Sequence, residues 1–174
     1  MDGGGWEPVI ALRASSRSTA RTFRVGHAYA LRVRAVDAAG NWSPWAEAAP
    51  FTAVVVQDSS SSLVRRGTWT RYASSRMSGG TSRFAKARGA SISRTFTGRG
   101  VSLVLPEGPT RGRAQVWVDG VLVKTIDTYR SAFAARHVMF TRTWTSTGTH
   151  TIRLVVLGTS GRPRVDFDAL VVIR

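Results

Sequence analysis

Apolar and polar positions alternate along most of the chain, and clusters of Gly, Ser, Thr or Pro interrupt the pattern about every ten residues. This rhythm is typical of short antiparallel strands that are joined by turns. No window shows the 3.6-residue apolar stripe of an amphipathic helix, and the segment 130–136 is at most one short helical turn. The sequence therefore predicts an all-β protein.

The alternation is clearest in the segment 29–35. Its apolar residues point to one face and its arginines to the other; the apolar set is Tyr29, Leu31, Val33 and Ala35, and the arginines are Arg32 and Arg34. The spacing Phe23-x-x-Gly26-x-x-Tyr29 suits a tyrosine corner, in which a buried ring bonds through its hydroxyl to upstream backbone. A turn-rich segment 37–41, the motif Trp42-Ser-Pro-Trp45 and a last strand at 51–56 follow.

These motifs, together with Asp2-Gly-Gly-Gly-Trp6, resemble the back half of a fibronectin type III domain, and the resemblance covers residues 2–55. It implies a seven-stranded sandwich of which this chain supplies about four strands, so that Met1 lies inside a domain. A half-sandwich leaves an apolar row and a sheet edge open. We expect two copies of the chain to form a homodimer through that edge.

The serine-rich stretch Gln57-Asp-Ser-Ser-Ser-Ser62 is predicted to be a flexible linker. The domain prediction is a partial fibronectin type III domain at 1–56, a linker at 57–63 and a β-sandwich at 64–174. In the sandwich, Asp119-Gly120 favours a tight hairpin. About eight strands are predicted there, at 69–72, 90–97, 101–105, 116–118, 121–129, 138–144, 150–157 and 165–173.

The second half resembles the galactose-binding-like jelly-roll modules of exported bacterial proteins, over residues 64–173. The motifs that carry the resemblance are Gly79-Gly80, the segments 89–93, 96–98 and 111–120, Gly148-Thr-His-Thr-Ile152, Leu157-Gly-Thr159 and the segment 165–170. The resemblance implies an extracellular or cell-surface accessory module that binds carbohydrate or mediates adhesion. The same fold also serves as a spacer without a ligand, so both alternatives stay open.

The net charge is +15, and residues 59–174 carry 19 Lys and Arg against five acids. The chain has no cysteine, which excludes disulfides and a thiolate nucleophile. An arginine-rich run with interleaved aromatic residues at 65–88 suits an acidic cell-wall polymer. Nucleic acid is a less favoured partner because no nucleic-acid fold motif accompanies the run. No apolar stretch reaches the ~20 residues of a membrane span, and no signal peptide is visible.

The residues that could perform catalysis are few. The three histidines (His27, His137 and His150) accompany no Gly-x-Ser-x-Gly motif, and we expect them to be structural or exposed. Asp166 and Asp168 share a strand face at a distance of ~7 Å, which could serve a glycosidase, but the resemblance implies polar anchors in the last strand. No cofactor or metal is expected in so basic a half. These patterns predict a protein that is not an enzyme.

Sugar binding requires a flat aromatic face with hydrogen-bonding groups nearby, and Trp117 is the best candidate. If Val116 and Val118 face the core, the alternation places Trp117 on the opposite face. Further candidate binding residues are Trp69, Arg71 and Tyr72 in the opening strand, and Tyr129 and Arg130 just past a strand end. For each of these rings, packing inside the protein is the open alternative. Trp144 is predicted to be a core residue.

Overall fold

The fold is described from a computed structural model, which covers residues 5–7 and 22–174. In these residues the chain forms β-strands almost throughout, and one 3-10 turn, Ser78–Gly80, is the helical exception. The strands are β1 (Ala28–Tyr29), β2 (Arg32–Val33), β3 (Ala46–Glu47), β4 (Phe51–Gln57), β5 (Val64–Arg66), β6 (Thr70–Ala73), β7 (Thr81–Ala85), β8 (Ser91–Glu107), β9 (Arg113–Val118), β10 (Val121–Asp127), β11 (Ala134–Val156), β12 (Val165–Phe167) and β13 (Ala169–Ile173). The all-β prediction is confirmed.

The chain divides into two compact units, Met1–Val54 and Val55–Arg174. In the first unit β1 pairs with the start of β4, and β2 pairs with β3, both antiparallel. The hydroxyl of Tyr29 accepts a hydrogen bond from the backbone N–H of Arg24 at 2.9 Å. The rings of Phe23 and Phe51 lie 4.7 and 5.9 Å from the Tyr29 ring. The hydroxyl bond predicted for a tyrosine corner is therefore present.

The two faces of β2 differ as the alternation predicted. The guanidinium group of Arg32 lies over the rings of Trp6 and Trp45, at 4.0 and 4.2 Å, and Arg34 stacks in the same way on Trp42 and Trp45. Such cation–π contacts hold the two guanidinium groups against the tryptophan rings. On the opposite face Val33 is 62% exposed, in keeping with the predicted open apolar row, while dimerisation through this edge stays a prediction.

The second unit is a sandwich of two antiparallel sheets. The large sheet contains the order β13-β8-β11-β9-β10, with β5 also paired to β8, and the small sheet has the order β12-β7-β6. The core contains residues of both sheets, including Leu103, Val116 and Leu154 from the large sheet and Val165 and Phe167 from the small one. The face of the large sheet that points away from this core is free to carry a binding surface.

Two predicted pairs of strands are single long strands in the structure. Residues 90–97 and 101–105 join in β8, and 138–144 and 150–157 join in β11. Gly98 does not mark a turn: a Cβ at this position would lie 2.5 Å from the backbone oxygen of Ile173. The glycine is thus required because β13 approaches β8 closely, and the sequence pattern does not distinguish this use from a turn.

The prediction of a flexible linker at 57–63 is wrong, because this segment is packed. Asp58 is only 1% exposed, and its backbone N–H bonds to the carbonyl of Asp168 at 3.0 Å. Its carboxylate accepts a hydrogen bond from Thr81 at 2.6 Å. Arg65 donates to the carbonyls of Asp58 and Ser60, which closes the serine turn. Serines favour flexible chains only when nothing ties the backbone down.

Candidate functional site

Trp117 lies on the outer face of β9. Ala114, Val116 and Val118 are almost completely buried in the core, whereas Trp117 between the two valines is half-buried. The prediction that side chains of this strand alternate between the core and the outer face is therefore confirmed. The indole N–H of Trp117 donates to the side-chain oxygen of Gln115 at 3.3 Å, which restrains the ring on the surface of the sheet.

An open hollow of about 330 Å³ adjoins the Trp117 ring, and its other lining residues are Gly120, Thr151 and Arg153. This volume lies at the lower end of the roughly 300–1,000 Å³ typical of small-ligand sites. Arg153 is opposite Trp117 in the β9–β11 ladder, and Leu122 is opposite it in the β9–β10 ladder. Gly120 leaves space beside the ring because it has no side chain.

Asp119 fixes the β9–β10 hairpin, which forms one wall of the hollow. Its carboxylate accepts the Thr151 N–H at 2.7 Å and contacts Nδ1 of His150 at 2.8 Å. Burial alone would raise the pKa of Asp119, but these hydrogen bonds outweigh it and hold the pKa below its usual value. His150 in turn stacks on Trp144 at 3.7 Å. Trp144 is half-buried against the core, so its prediction as a core residue is confirmed in part.

The other predicted binding residues lie elsewhere in the same unit. Tyr129 is 51% exposed just after the end of β10, where Asp127 pairs with Arg113 of β9. Arg113 and Trp117 are four positions apart on β9, which is ~13 Å along the strand. The structure therefore does not bring Tyr129 and Trp117 together on one short surface.

The arginines around Tyr129 are already paired. Arg162 lies 5.0 Å above the Tyr129 ring, and both its terminal nitrogens bond to Asp127. Arg130 is 3.4 Å from Glu107, which also contacts the ring of His137. The hydrogen bonds from Arg162 lower the pKa of Asp127. These contacts account for the position of each charge without a bound ligand.

Tyr72 and Arg71 are exposed on β6. The guanidinium group of Arg164 lies 5.0 Å from the Tyr72 ring and 4.0 Å from the Phe84 ring. It also forms two hydrogen bonds to Asp166. Tyr72 thus lies against a paired arginine, and its binding role stays a prediction.

Trp69 was predicted as a binding residue, and the structure contradicts this. The ring is 9% exposed and belongs to the hydrophobic core of the second unit. Its indole N–H donates to the carbonyl of Arg66 at 3.1 Å. The open alternative of packing is the observed one: Trp69 lies just before β6, and its ring is part of the core.

The two aspartates of the last strands are buried anchors, as the resemblance implied. Asp166 is fully buried and lies 3.3 Å from the guanidinium Nε of Arg111, in addition to its bonds to Arg164. Asp168 is also fully buried and accepts the backbone N–H of Ser78 at 2.9 Å. Burial, with the nearby charge of Asp58, raises the pKa of Asp168 to about 6.

The arginine-rich run at 65–88 does not form one continuous patch of free charge. Arg65 donates to the Asp58 carbonyl, and Arg76 donates to the carbonyl of Phe133. Arg83 lies 3.8 Å from the Asp58 carboxylate. By contrast, Thr151 and Arg153, which line the hollow, were not predicted as binding residues. Their two-residue spacing on a strand was a usable signal, but only the β9–β11 pairing shows that they adjoin Trp117.

Residues 5–7 and 22–174 contain no group of three or more His, Asp or Glu side chains placed to hold a metal ion. The same ranges contain no helix long and apolar enough to cross a membrane.

No protein-family profile matches the chain. It is 31% identical over 156 residues to the A type blood N-acetyl-alpha-D-galactosamine deacetylase of Flavonifractor plautii, a match that covers 84% of this chain and 20% of the enzyme. It is 30% identical over 121 residues to the A type blood alpha-D-galactosamine galactosaminidase of the same organism, covering 70% of this chain and 11% of the enzyme. The chain thus spans only a fifth or less of the length of these relatives.

Solved structures with the same fold include a family two carbohydrate esterase from Cellvibrio japonicus, with a TM-score of 0.53 and 11% identity over 71% of this chain and 34% of the esterase. A two-domain esterase active on acetylated mannans has a TM-score of 0.52 and 14% identity, over 70% of this chain and 36% of that one. At such identities the likeness shows the β-sandwich fold alone.

The prediction that the protein is not an enzyme is wrong. The two curated relatives are named as a deacetylase and a galactosaminidase. The chain is therefore similar to a part of two enzymes that are named for galactosamine sugars. The prediction was wrong because it considered only the catalytic motifs within these 174 residues.

Proposed function

We propose that this chain is the glycan-binding part of a carbohydrate-active enzyme, and that a sugar ring stacks on Trp117 in the hollow beside the β9–β10 hairpin. The two curated relatives that match most of this chain are named for their action on sugars. The chain matches only a small part of each. A part of that size serves the whole enzyme by holding the polymer near the reacting centre.

The observation that carries the proposal is the half-buried Trp117 ring beside an open hollow that Thr151 and Arg153 also line. An indole face covers the apolar side of a pyranose, while the hydroxyl of Thr151 and the guanidinium group of Arg153 can bond to its oxygens. The Gln115 contact and the bonded hairpin hold these groups in place before the ligand arrives. A preorganised surface loses little conformational entropy on binding.

The proposal is tested with the full chain on an array of neutral and acidic oligosaccharides, followed by titration calorimetry of the sugars that bind. Trp117→Ala is expected to weaken binding by at least about tenfold, because truncating an anchoring aromatic residue costs roughly 1.4 kcal/mol or more. Trp117→Phe keeps a flat ring and is expected to retain part of the affinity.

The matched control is Tyr129→Ala, which removes an exposed ring of the same unit that does not line the hollow. It should leave the affinity unchanged. Loss of binding in the Tyr129 variant alone would move the site to the end of β10 and reject the position we assign. A full chain that binds no sugar on the array would reject glycan binding altogether.

The first unit and the cellular location belong to the same proposal. We assign residues 2–55 to a partial fibronectin type III domain, supported by the Tyr29 hydroxyl bond and by the stacked arginines and tryptophans. We also assign an extracellular or cell-surface location, where polymeric glycans are found. A signal for export in the complete protein, or its recovery outside the cell, is the measurement that tests this.

A further inference from the structure

The outer face of the large sheet around Trp117 is basic. Residues opposite each other in an antiparallel ladder share a face, so the strand registers define rows of neighbours. The row through Trp117 contains Leu122, Trp117, Arg153, Ser93 and Val64. The next row contains Thr125, Gln115, Val155, Ser91 and Arg66. The two rows hold two arginines and no carboxylate.

The guanidinium group of Arg153 is available to a ligand. Arg153 is exposed, and within residues 5–7 and 22–174 its side chain has no hydrogen-bond or ion-pair partner. Arg162 and Arg164 differ in this respect, because each makes two bonds to an aspartate. An unpaired guanidinium group presents its planar fork of donors to any oxyanion that reaches it.

Asp119, next to Gly120 at the edge of the hollow, forms no ion pair with Arg153. Both carboxylate oxygens of Asp119 are used, one by the Thr151 N–H and the other by the His150 ring. Arg142 also lies close enough to act on the charge of Asp119 and lower its pKa. The positive charge of Arg153 therefore remains directed at the hollow that it lines with Trp117.

We propose that the hollow selects acidic sugars, with the oxyanion of the sugar bound by the Arg153 fork while its ring lies on Trp117. This inference rests on the proposed glycan binding and adds the class of ligand and the residue that determines it. The net charge of residues 59–174, with 19 Lys and Arg against five acids, attracts anionic polymers to this unit. Arg153 then distinguishes an acidic ring from a neutral one at the site itself.

The test compares two probes that differ only in charge, oligogalacturonate and the same oligosaccharide with its carboxyl groups methyl-esterified. The full chain is expected to bind the acid more tightly than the ester. Arg153→Gln should weaken binding of the acid by about tenfold while changing binding of the ester less than about twofold. Arg153→Lys keeps the charge but loses the fork, so an intermediate affinity is expected.

Arg88→Gln is the control, because it removes the same charge at an exposed turn that does not line the hollow. It should leave the preference for acid over ester intact. Sulfated dextran and plain dextran form a second pair: binding of the sulfated polymer with the same dependence on Arg153 would identify any sugar oxyanion, rather than a carboxylate alone, as the ligand.

Four outcomes would overturn the inference. Equal affinity for acid and ester rejects selection by charge but leaves glycan binding intact. Loss of the preference in the Arg88 variant as well as in the Arg153 variant would assign it to the overall charge of the protein. Single-stranded DNA that binds more tightly than every sugar, with the same Arg153 dependence, would replace the acidic glycan by a nucleic acid. Failure of every sugar to bind rejects the proposed function itself.

Discussion

The buried carboxylate of Asp168 makes the stability of the second unit depend on pH. Its pKa is raised to about 6 from the ordinary 3.8, first of all by burial and then by the charges of Asp58 and Asp166. The folded protein therefore binds this proton more tightly than the unfolded chain does. Between about pH 4 and pH 6, raising the pH ionises the unfolded chain first, so this group lowers the free energy of unfolding.

The size of the effect follows from the two pKa values. A pKa difference of about two units corresponds to about 3 kcal/mol lost at pH 7.5, where both states are ionised. At pH 4.5 the folded state is still protonated, and the loss is only about 1 kcal/mol. Asp168→Asn removes the ionisation but keeps an oxygen that can accept the Ser78 N–H. The variant should therefore gain about 2 kcal/mol relative to the wild type between pH 4.5 and 7.5.

Urea unfolding at a series of pH values, followed by tryptophan fluorescence, measures this change, because Trp69 is buried in the core of the same unit. Any constant cost of the asparagine cancels when the two pH values are compared. A difference between variant and wild type that stays the same at pH 4.5 and 7.5 would refute the argument that burial raises this pKa.

Asp127→Asn is a control of opposite sign. The hydrogen bonds from Arg162 hold the pKa of Asp127 below its ordinary value, so its carboxylate stabilises the fold above that value and loses the effect as the pH falls. The pair is largely on the surface, and the variant should lose up to about 1 kcal/mol at pH 7.5 and nearly as much at pH 4.5, with the loss becoming smaller only as the pH falls below the ordinary pKa of 3.8. A larger loss at the lower pH would contradict the assigned pairing.

Three other substitutions test the packing. Gly98→Ala should destabilise the second unit by about 1–3 kcal/mol in urea unfolding, because the added Cβ would meet the Ile173 oxygen at 2.5 Å; an unchanged midpoint would mean that β13 can shift at no cost. Trp69→Ala should cost about 3–5 kcal/mol in the same assay, and a loss below 1 kcal/mol would contradict its place in the core. Tyr29→Phe should lower the stability of the first unit by about 1 kcal/mol in thermal unfolding, through loss of the Arg24 N–H bond, and leave sugar binding unchanged.

The two-residue alternation was sufficient to predict the fold class and the orientation of several side chains. Val116 and Val118 are apolar and β-branched, so they identified the core face, and Trp117 had to lie on the other one. The same reasoning placed Arg32 and Arg34 together on one face of the segment 29–35. These properties follow from local backbone geometry, which does not depend on the rest of the chain.

The composition of a segment was a less reliable guide. The serines at 59–62 predicted a flexible chain, but Asp58 and Arg65 close that turn through contacts with the backbone. Trp69 was a candidate binding residue as an aromatic residue of the opening segment of the sandwich. It lies just before β6, and its ring is packed in the core. In both cases residues that are far away in the sequence make the packing contacts. The local sequence pattern does not show those contacts.

The sequence by itself determined that this protein is made of strands, that Val116 and Val118 face the core, and that its second half is strongly basic. Only the tertiary structure decided which charges remain free. Of the arginines in that half, Arg162 and Arg164 are paired with aspartates. The guanidinium group of Arg153, which lines the hollow beside Trp117, has no hydrogen-bond partner among the described residues. The reason is that the strand registers bring together residues about 80 positions apart, such as Ala85 and Val165, and such pairings determine which side chains become neighbours.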